Sequence, residues 1–105
     1  MNEADITARV GRKENALRAV AAAYEASITA KSDLETINNH YTLEGLEGSN
    51  EKQRTADLIA KTTTEREGVA QADKTLREAR LELDIASLRL QEATMLLTLL
   101  HGPDR

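Results

Sequence analysis

The stretch VAQADKTLREARLELDIASLRLQEATMLLTLL, residues 69–100, decides the fold of this chain. Every seventh residue from Val69 onward is large and apolar, and the residue three places further on is alanine in four heptads of five. The first row is Val69, Leu76, Leu83, Leu90 and Leu97, and the second row is Ala72, Ala79, Ala86, Ala93 and Leu100. Two such rows, sustained over more than four heptads, predict a helix that packs along a coiled-coil-like seam of alanine and leucine.

The composition of the whole chain also favours an all-α fold. Its 105 residues include 16 Ala and 14 Leu but no Phe, Trp or Cys, and Ala, Glu, Lys, Leu and Arg supply more than half of them. Such a share is typical of long helices and coiled coils. The length predicts one domain, residues 1–105. The absence of cysteine excludes a disulfide scaffold and a thiolate zinc site.

Two glycines mark the turn signal in the interior of the chain. Gly45 and Gly48 precede Ser-Asn, and either glycine can take the left-handed conformation that ends a helix. The sequence therefore predicts a long antiparallel hairpin, with one helix over about residues 3–43, a turn over 44–50 and a second helix over about 51–101. This hairpin forms a single helical domain.

Capping residues flank both predicted helices. Asn2 is a predicted N-cap, and Asn50 with Gln53 three residues later is typical of a capping box. Gly102 and Pro103 follow His101 and form a stop signal for the second helix.

The second predicted helix has one weak segment. Thr62, Thr63 and Thr64 are β-branched, and Gly68 follows them, so helix propensity is lowest there. A continuous helix is favoured, and a kink or break near Gly68 is the alternative.

An antiparallel hairpin that folds about residue 47 pairs positions whose numbers sum to about 94. Leu17 is then expected to face Leu76, Val10 to face Leu83, and Tyr24 to face Val69 or Ala70. Ala16, Ala23 and Ala30 recur every seven residues and give the first helix a row of small residues. In this register, residues beyond about Leu90 have no partner in the first helix.

A further apolar stripe lies on the side of the second helix opposite the seam. We call it the outer stripe, and it comprises Leu81, Ile85, Leu88, Met95, Leu96 and Leu99. A helix that is apolar on two faces is usually buried on both. We therefore expect a homodimer that assembles as a four-helix bundle through the outer stripe. A helix of a different protein partner on the same face is the alternative.

The charge balance argues against several classes of function. The formal net charge of −4 opposes nucleic-acid binding and attachment to anionic lipid. The acidic start of the chain has no signal-peptide pattern, so a cytoplasmic location is expected unless a signal-less route exports the protein. Charged residues within 81–100 oppose a membrane span.

No catalytic, cofactor-binding or metal site is predicted. His40 and His101 are the two imidazoles, and neither follows a glutamate by three residues as a di-iron bundle requires. We interpret both as helix-terminal histidines, and we expect no enzyme activity and no cofactor.

A cluster of basic residues is a weaker candidate for a site. Its members on the first helix are Arg9, Arg12, Lys13 and Arg18, and the hairpin register adds Lys74, Arg77 and Arg80. Acidic residues are interleaved with them, which favours an ordinary solvated surface over an anion site.

In length and hairpin outline the chain resembles the secreted Trp-x-Gly helical hairpins, although it lacks their turn motif because it has no Trp. Its dimensions are also similar to those of small coiled-coil chaperones and adaptors of bacterial secretion systems. The sequence therefore predicts a non-enzymatic, self-associating interaction module. A chaperone or adaptor that offers its apolar face to a partner helix, and a membrane-surface amphipathic protein, are the alternatives.

Overall fold

The computed structural model describes residues 2–101, and three α-helices account for most of them. Helix α1 spans Glu3–Glu44, α2 spans Glu51–Lys61 and α3 spans Thr63–His101. The all-α class is thus confirmed, and α1 packs against α3 as a hairpin. The expected stop at Gly102 and Pro103 lies outside the described residues.

Side chains cap the first two helices as the sequence predicts. The Asn2 side-chain oxygen accepts a hydrogen bond from the Asp5 amide at 3.0 Å, and the Asn2 amide donates to the Asp5 carboxylate at 3.0 Å. At α2, the Asn50 side chain accepts from the Gln53 amide at 2.9 Å, and the Ser49 amide donates to the Gln53 side chain at 2.7 Å. These bonds satisfy amides that the first turn of a helix leaves without a partner.

The turn between α1 and α2 depends on both glycines. Gly45 has φ +96° and Gly48 has φ +129°, conformations that L-residues with a side chain rarely adopt. A Cβ on Gly48 would also lie 2.6 Å from the Cβ of Gln53. A substitution at Gly48 therefore strains the turn twice, by its backbone and by its contact.

The second predicted helix is interrupted at Thr62, and Gly68 lies inside α3. The Thr62 hydroxyl donates to the Leu58 carbonyl at 2.8 Å and accepts from Arg66 Nε at 2.8 Å. Threonine hydroxyls that bond the carbonyl four residues back often bend a helix. The hydroxyl bonds of Thr62, which is fully buried, therefore account for the break. The low helix propensity of Gly68 does not.

The alanine–leucine seam of α3 is present. Every residue of its two rows is buried or half-buried except Leu100, which is largely exposed. Leu76 and Ala93 are the buried members. Alternating large and small side chains therefore form the packed face of this helix, as close packing requires.

The packed face of α1 differs from the expected one. Val10, Leu17 and Tyr24, which we expected to face α3, are 38 %, 48 % and 51 % exposed. The buried and half-buried rows of α1 are instead Ile6, Lys13, Val20, Ser27, Leu34 and Tyr41, and Arg9, Ala16, Ala23, Ala30 and Ile37. The row of small residues was predicted correctly, and its partner row was missed because Lys13 and Ser27 interrupt its apolar pattern.

Two packed units make up the hairpin, one formed by Tyr24–Thr75 and one by the chain up to Ala23 with the chain from Leu76 onward. In the first unit, the Ser27 hydroxyl donates to the Asp73 carboxylate at 2.9 Å. In the second unit, Arg9 donates to the Arg89 carbonyl at 3.3 Å. Facing positions in either unit thus sum to about 98–100.

The predicted register, with a sum of about 94, is therefore wrong by four to six residues. The Glu47 amide donates to the Asp57 carboxylate at 3.0 Å, so the start of α2 lies along the turn. These residues of α2 therefore lie beside the turn, and the chain that follows them pairs with α1. As a consequence Leu90 lies opposite residues near Arg9. The part of α3 without a partner in α1 therefore begins about four residues later than predicted.

Candidate protein interface

The outer stripe lies on α3, within the unit that contains both ends of the described chain. Leu81, Leu88, Met95, Leu96 and Leu99 are between 42 % and 75 % exposed, whereas Ile85 is half-buried. A shallow depression of about 390 Å³ runs between Leu88 and Leu99 on this face. The structure thus brings the predicted residues together on one face, and large apolar side chains remain in water there.

The spacing of the outer stripe is that of a second seam. Positions 81, 85, 88, 92, 95 and 99 follow one another at intervals of four and three residues, and Glu92 is the one polar member. Such intervals keep the side chains on one helical face, as in the core of a coiled coil. Residues 93–101 contain no Asp, Glu, Lys or Arg, so the apolar character of the stripe increases toward the end of α3.

A second set of exposed apolar side chains lies on α1. Val10 and Leu17 in one unit, and Tyr24 and Ile28 in the other, are 38–51 % exposed. The predicted register had placed Val10, Leu17 and Tyr24 against α3, and their exposure follows from the corrected packed face. Exposed apolar residues in single rows are common on helical proteins.

A groove beside the seam collects three arginines. Arg9 and Arg12 of α1 and Arg89 of α3 line it, and its volume is about 340 Å³. The predicted basic cluster is therefore only partly assembled, because Arg77 and Arg80 do not line this groove. Arg89 was missed, and the corrected register is the signal that would have found it.

His40 lies beside a carboxylate and an aromatic ring of its own helix. His40 Nε2 lies 3.1 Å from the Glu44 carboxylate, four residues away on the same helix. Its ring meets the Tyr41 ring at 5.5 Å between centroids. Within residues 2–101, no group of three or more His, Cys, Asp or Glu side chains could hold a metal ion. No helix in that range is long and apolar enough to cross a membrane.

An electrostatic cluster holds the turn. The Glu47 amide and the Lys61 ammonium both bond the Asp57 carboxylate and keep its pKa below the usual range. The same carboxylate raises the pKa of Lys61, whose ammonium lies 3.1 Å from it. Lys61 also lies 5.7 Å from the centre of the Tyr41 ring. This cluster is structural, because it ties α2 to the turn and to α1.

No family model matches the chain, and neither the curated proteins nor the solved structures contain a match to it.

Proposed function

We propose that this protein is a non-enzymatic interaction module that self-associates through the outer stripe. The observation that carries the proposal is the exposure of Leu81, Leu88, Met95 and Leu99 along one face of α3. Contiguous exposed apolar surface of this kind marks an interaction site or leads to aggregation. We therefore expect a second chain to cover this face.

A second copy of the chain fits the outer stripe because the stripe is self-complementary about residue 90. An antiparallel pair of stripes faces Leu81 with Leu99, Ile85 with Met95, and Leu88 with Glu92. A shift by one heptad in either direction leaves more of these apolar residues opposite a polar residue or opposite no residue. A two-fold interface requires such self-complementarity.

The position of Glu92 favours the antiparallel orientation. Two parallel stripes would place Glu92 of one copy against Glu92 of the other in a core position, and facing like charges destabilise a helix pair. In the antiparallel pair, Glu92 faces Leu88 of the second copy, so the two carboxylates do not face each other.

The proposed dimer contains four helical arms, with the two α3 helices at its centre. Because the outer stripe lies opposite the seam, each α3 packs on its own α1 through one face and on the second α3 through the other. The expected four-helix assembly therefore consists of a layer of helices with three seams, and it has no single shared core.

Two other occupants of the stripe are less well supported. A helix of a different protein could cover the same face, but nothing in the sequence of the stripe requires a partner of different chemistry. A membrane surface is disfavoured, because residues 2–23 and 76–101 together carry seven Lys and Arg against seven Asp and Glu and have no net attraction for anionic lipid.

Disulfide trapping tests both the occupant and the orientation, since the chain has no cysteine of its own. The double variant Leu81→Cys with Leu99→Cys is expected to form covalent dimers under mild oxidation, because facing residues meet the distance that a disulfide needs. Each single variant is the matched control. In the antiparallel pair, the two copies of Leu81 lie about 27 Å apart, so cysteines introduced at this position alone do not cross-link.

The outcomes separate the two parts of the proposal. Cross-linking of the single variants would show a parallel dimer and overturn the orientation alone. A chain that stays monomeric before oxidation, and cross-links in none of the variants, would overturn self-association through this face.

A further inference from the structure

The three-arginine groove lies beside the outer stripe and shares Ile85 with it, but its arginines and alanines lie outside that stripe. Its two walls come from α1 and α3 of one unit, and its floor contains Ala16 and Ala86 from the packed rows. Two alanines in facing rows leave space that larger side chains would fill. The groove thus exists because the seam is built from small residues at this level.

The guanidinium groups at the groove have spare hydrogen-bond donors. Arg9 Nη1 donates to the Arg89 carbonyl at 3.3 Å, which holds the Arg9 side chain across the groove. Each guanidinium carries five N–H donors, and one bond uses a single donor of Arg9. In the described chain, no ion pair involves Arg9, Arg12 or Arg89.

The groove is cationic at its rim and apolar at its floor. Three arginines stand against one acid, Glu82, and the remaining lining is Asn15, the Ile85 side chain and the two alanine methyl groups. Guanidinium groups bind oxyanions through paired, charge-assisted hydrogen bonds. An apolar floor gives a hydrocarbon chain a place out of water.

We infer that this groove binds a small amphiphilic anion, with a singly charged oxyanion head at the arginines and a short hydrocarbon tail over Ala16 and Ala86. The volume of about 340 Å³ is near the lower end for small-molecule sites. A free carboxylate and the head of a membrane lipid share this chemistry, and the size of the groove favours the free ligand.

A titration of the isotope-labelled chain with octanoate, followed by amide NMR shifts, tests the inference. Octanoate is expected to saturate shifts around residues 9–16 and 82–89. Octanol lacks the charge and inorganic phosphate lacks the tail, so we expect each to bind at least about tenfold more weakly.

Substitutions assign the site. Arg12→Gln and Arg89→Gln are each expected to weaken octanoate binding about tenfold. Arg18→Gln is the matched control, because this arginine of α1 does not line the groove, and it is expected to leave binding unchanged. Circular dichroism of each variant verifies that the helices are intact.

Three results would overturn the inference. The first is the absence of saturable shifts with octanoate, and the second is equal binding of octanol. The third is octanoate binding that both groove variants retain in full. If vesicles that contain anionic phospholipid bind the chain while octanoate does not, the groove serves a membrane surface and the free-ligand inference fails.

Discussion

Ser27 of α1 donates a hydrogen bond of 2.9 Å to the carboxylate of Asp73 on α3. Ser27 is only 3 % exposed, and Lys31 Nζ lies 3.4 Å from the same Asp73 oxygen. A short serine side chain reaches a facing helix only where the two backbones are correctly aligned. This bond therefore defines the register of the hairpin in the unit formed by residues 24–75.

Removal of the serine hydroxyl is expected to destabilise the hairpin. Ser27→Ala removes the bond from the serine hydroxyl to the Asp73 carboxylate, and a hydrogen bond to a charged group contributes about 1.5 kcal/mol or more. Urea denaturation followed by circular dichroism measures this loss. Ser32→Ala, at an exposed position of α1, is the control and is expected to change stability little. Equal effects of both variants would show that the bond does not hold the register.

The break between α2 and α3 leads to a second prediction. Thr62→Val keeps the shape of the buried side chain but removes the hydroxyl that joins Leu58 to Arg66. We expect a loss of about 1 kcal/mol, because Arg66 Nε loses a buried acceptor. Thr64→Val, on an exposed threonine of the same run, is the matched control. If Thr62→Val is as stable as the control, the hydroxyl does not stabilise the junction.

The turn is expected to loosen in acid. Hydrogen bonds from Glu47 and Lys61 lower the pKa of Asp57. The stabilisation of the turn is therefore complete above the ordinary aspartate pKa of about 4, and it is lost as the pH falls through the lowered value.

Amide hydrogen exchange at Glu47 measures this loss. Protection of the Glu47 amide is expected to fall in acid in the native chain and to be absent at all pH values in Asp57→Ala, which has no side-chain acceptor. Asp33→Ala, on α1 away from the turn, is expected to behave as the native chain. Protection of the Glu47 amide that persists in Asp57→Ala would contradict this account.

The sequence predicted the seam of α3 well and that of α1 poorly, for a physical reason. The α3 rows contain only apolar residues, so their period is visible in the sequence. The buried row of α1 contains Lys13 and Ser27, and apolar residues beside it gave a more regular pattern. Lysine packs its aliphatic stem at such positions and extends its charge to water, which hydrophobic periodicity does not detect.

The register and the arginine groove depend on geometry that the sequence does not display. The bond between Glu47 and Asp57 holds the start of α2 alongside the turn, and the facing positions in each unit differ from the predicted ones by four to six residues. The groove follows from that displacement, because it brings Arg89 near Arg9. The outer stripe was predictable because its residues share one face of a single helix.

A charge in the middle of the outer stripe is expected to dissociate the proposed dimer. Leu88→Glu places two carboxylates in the interface of each dimer, and we expect the dissociation constant to increase about 100-fold or more. Helix content should be unchanged, because Leu88 is not part of the seam. Leu43→Glu is the matched control, since Leu43 is 88 % exposed and lies outside the stripe.

Size-exclusion chromatography with light scattering compares the two variants. We expect a smaller mass for Leu88→Glu and an unchanged mass for Leu43→Glu. A dimer that survives Leu88→Glu would show that another face, such as the one with Val10 and Leu17, joins the chains.

Sedimentation equilibrium of the native chain at micromolar concentration tests the central claim most directly. We expect a helical species of twice the 11.5 kDa chain mass. A folded, helical monomer of 11.5 kDa across the micromolar range would contradict self-association through the outer stripe.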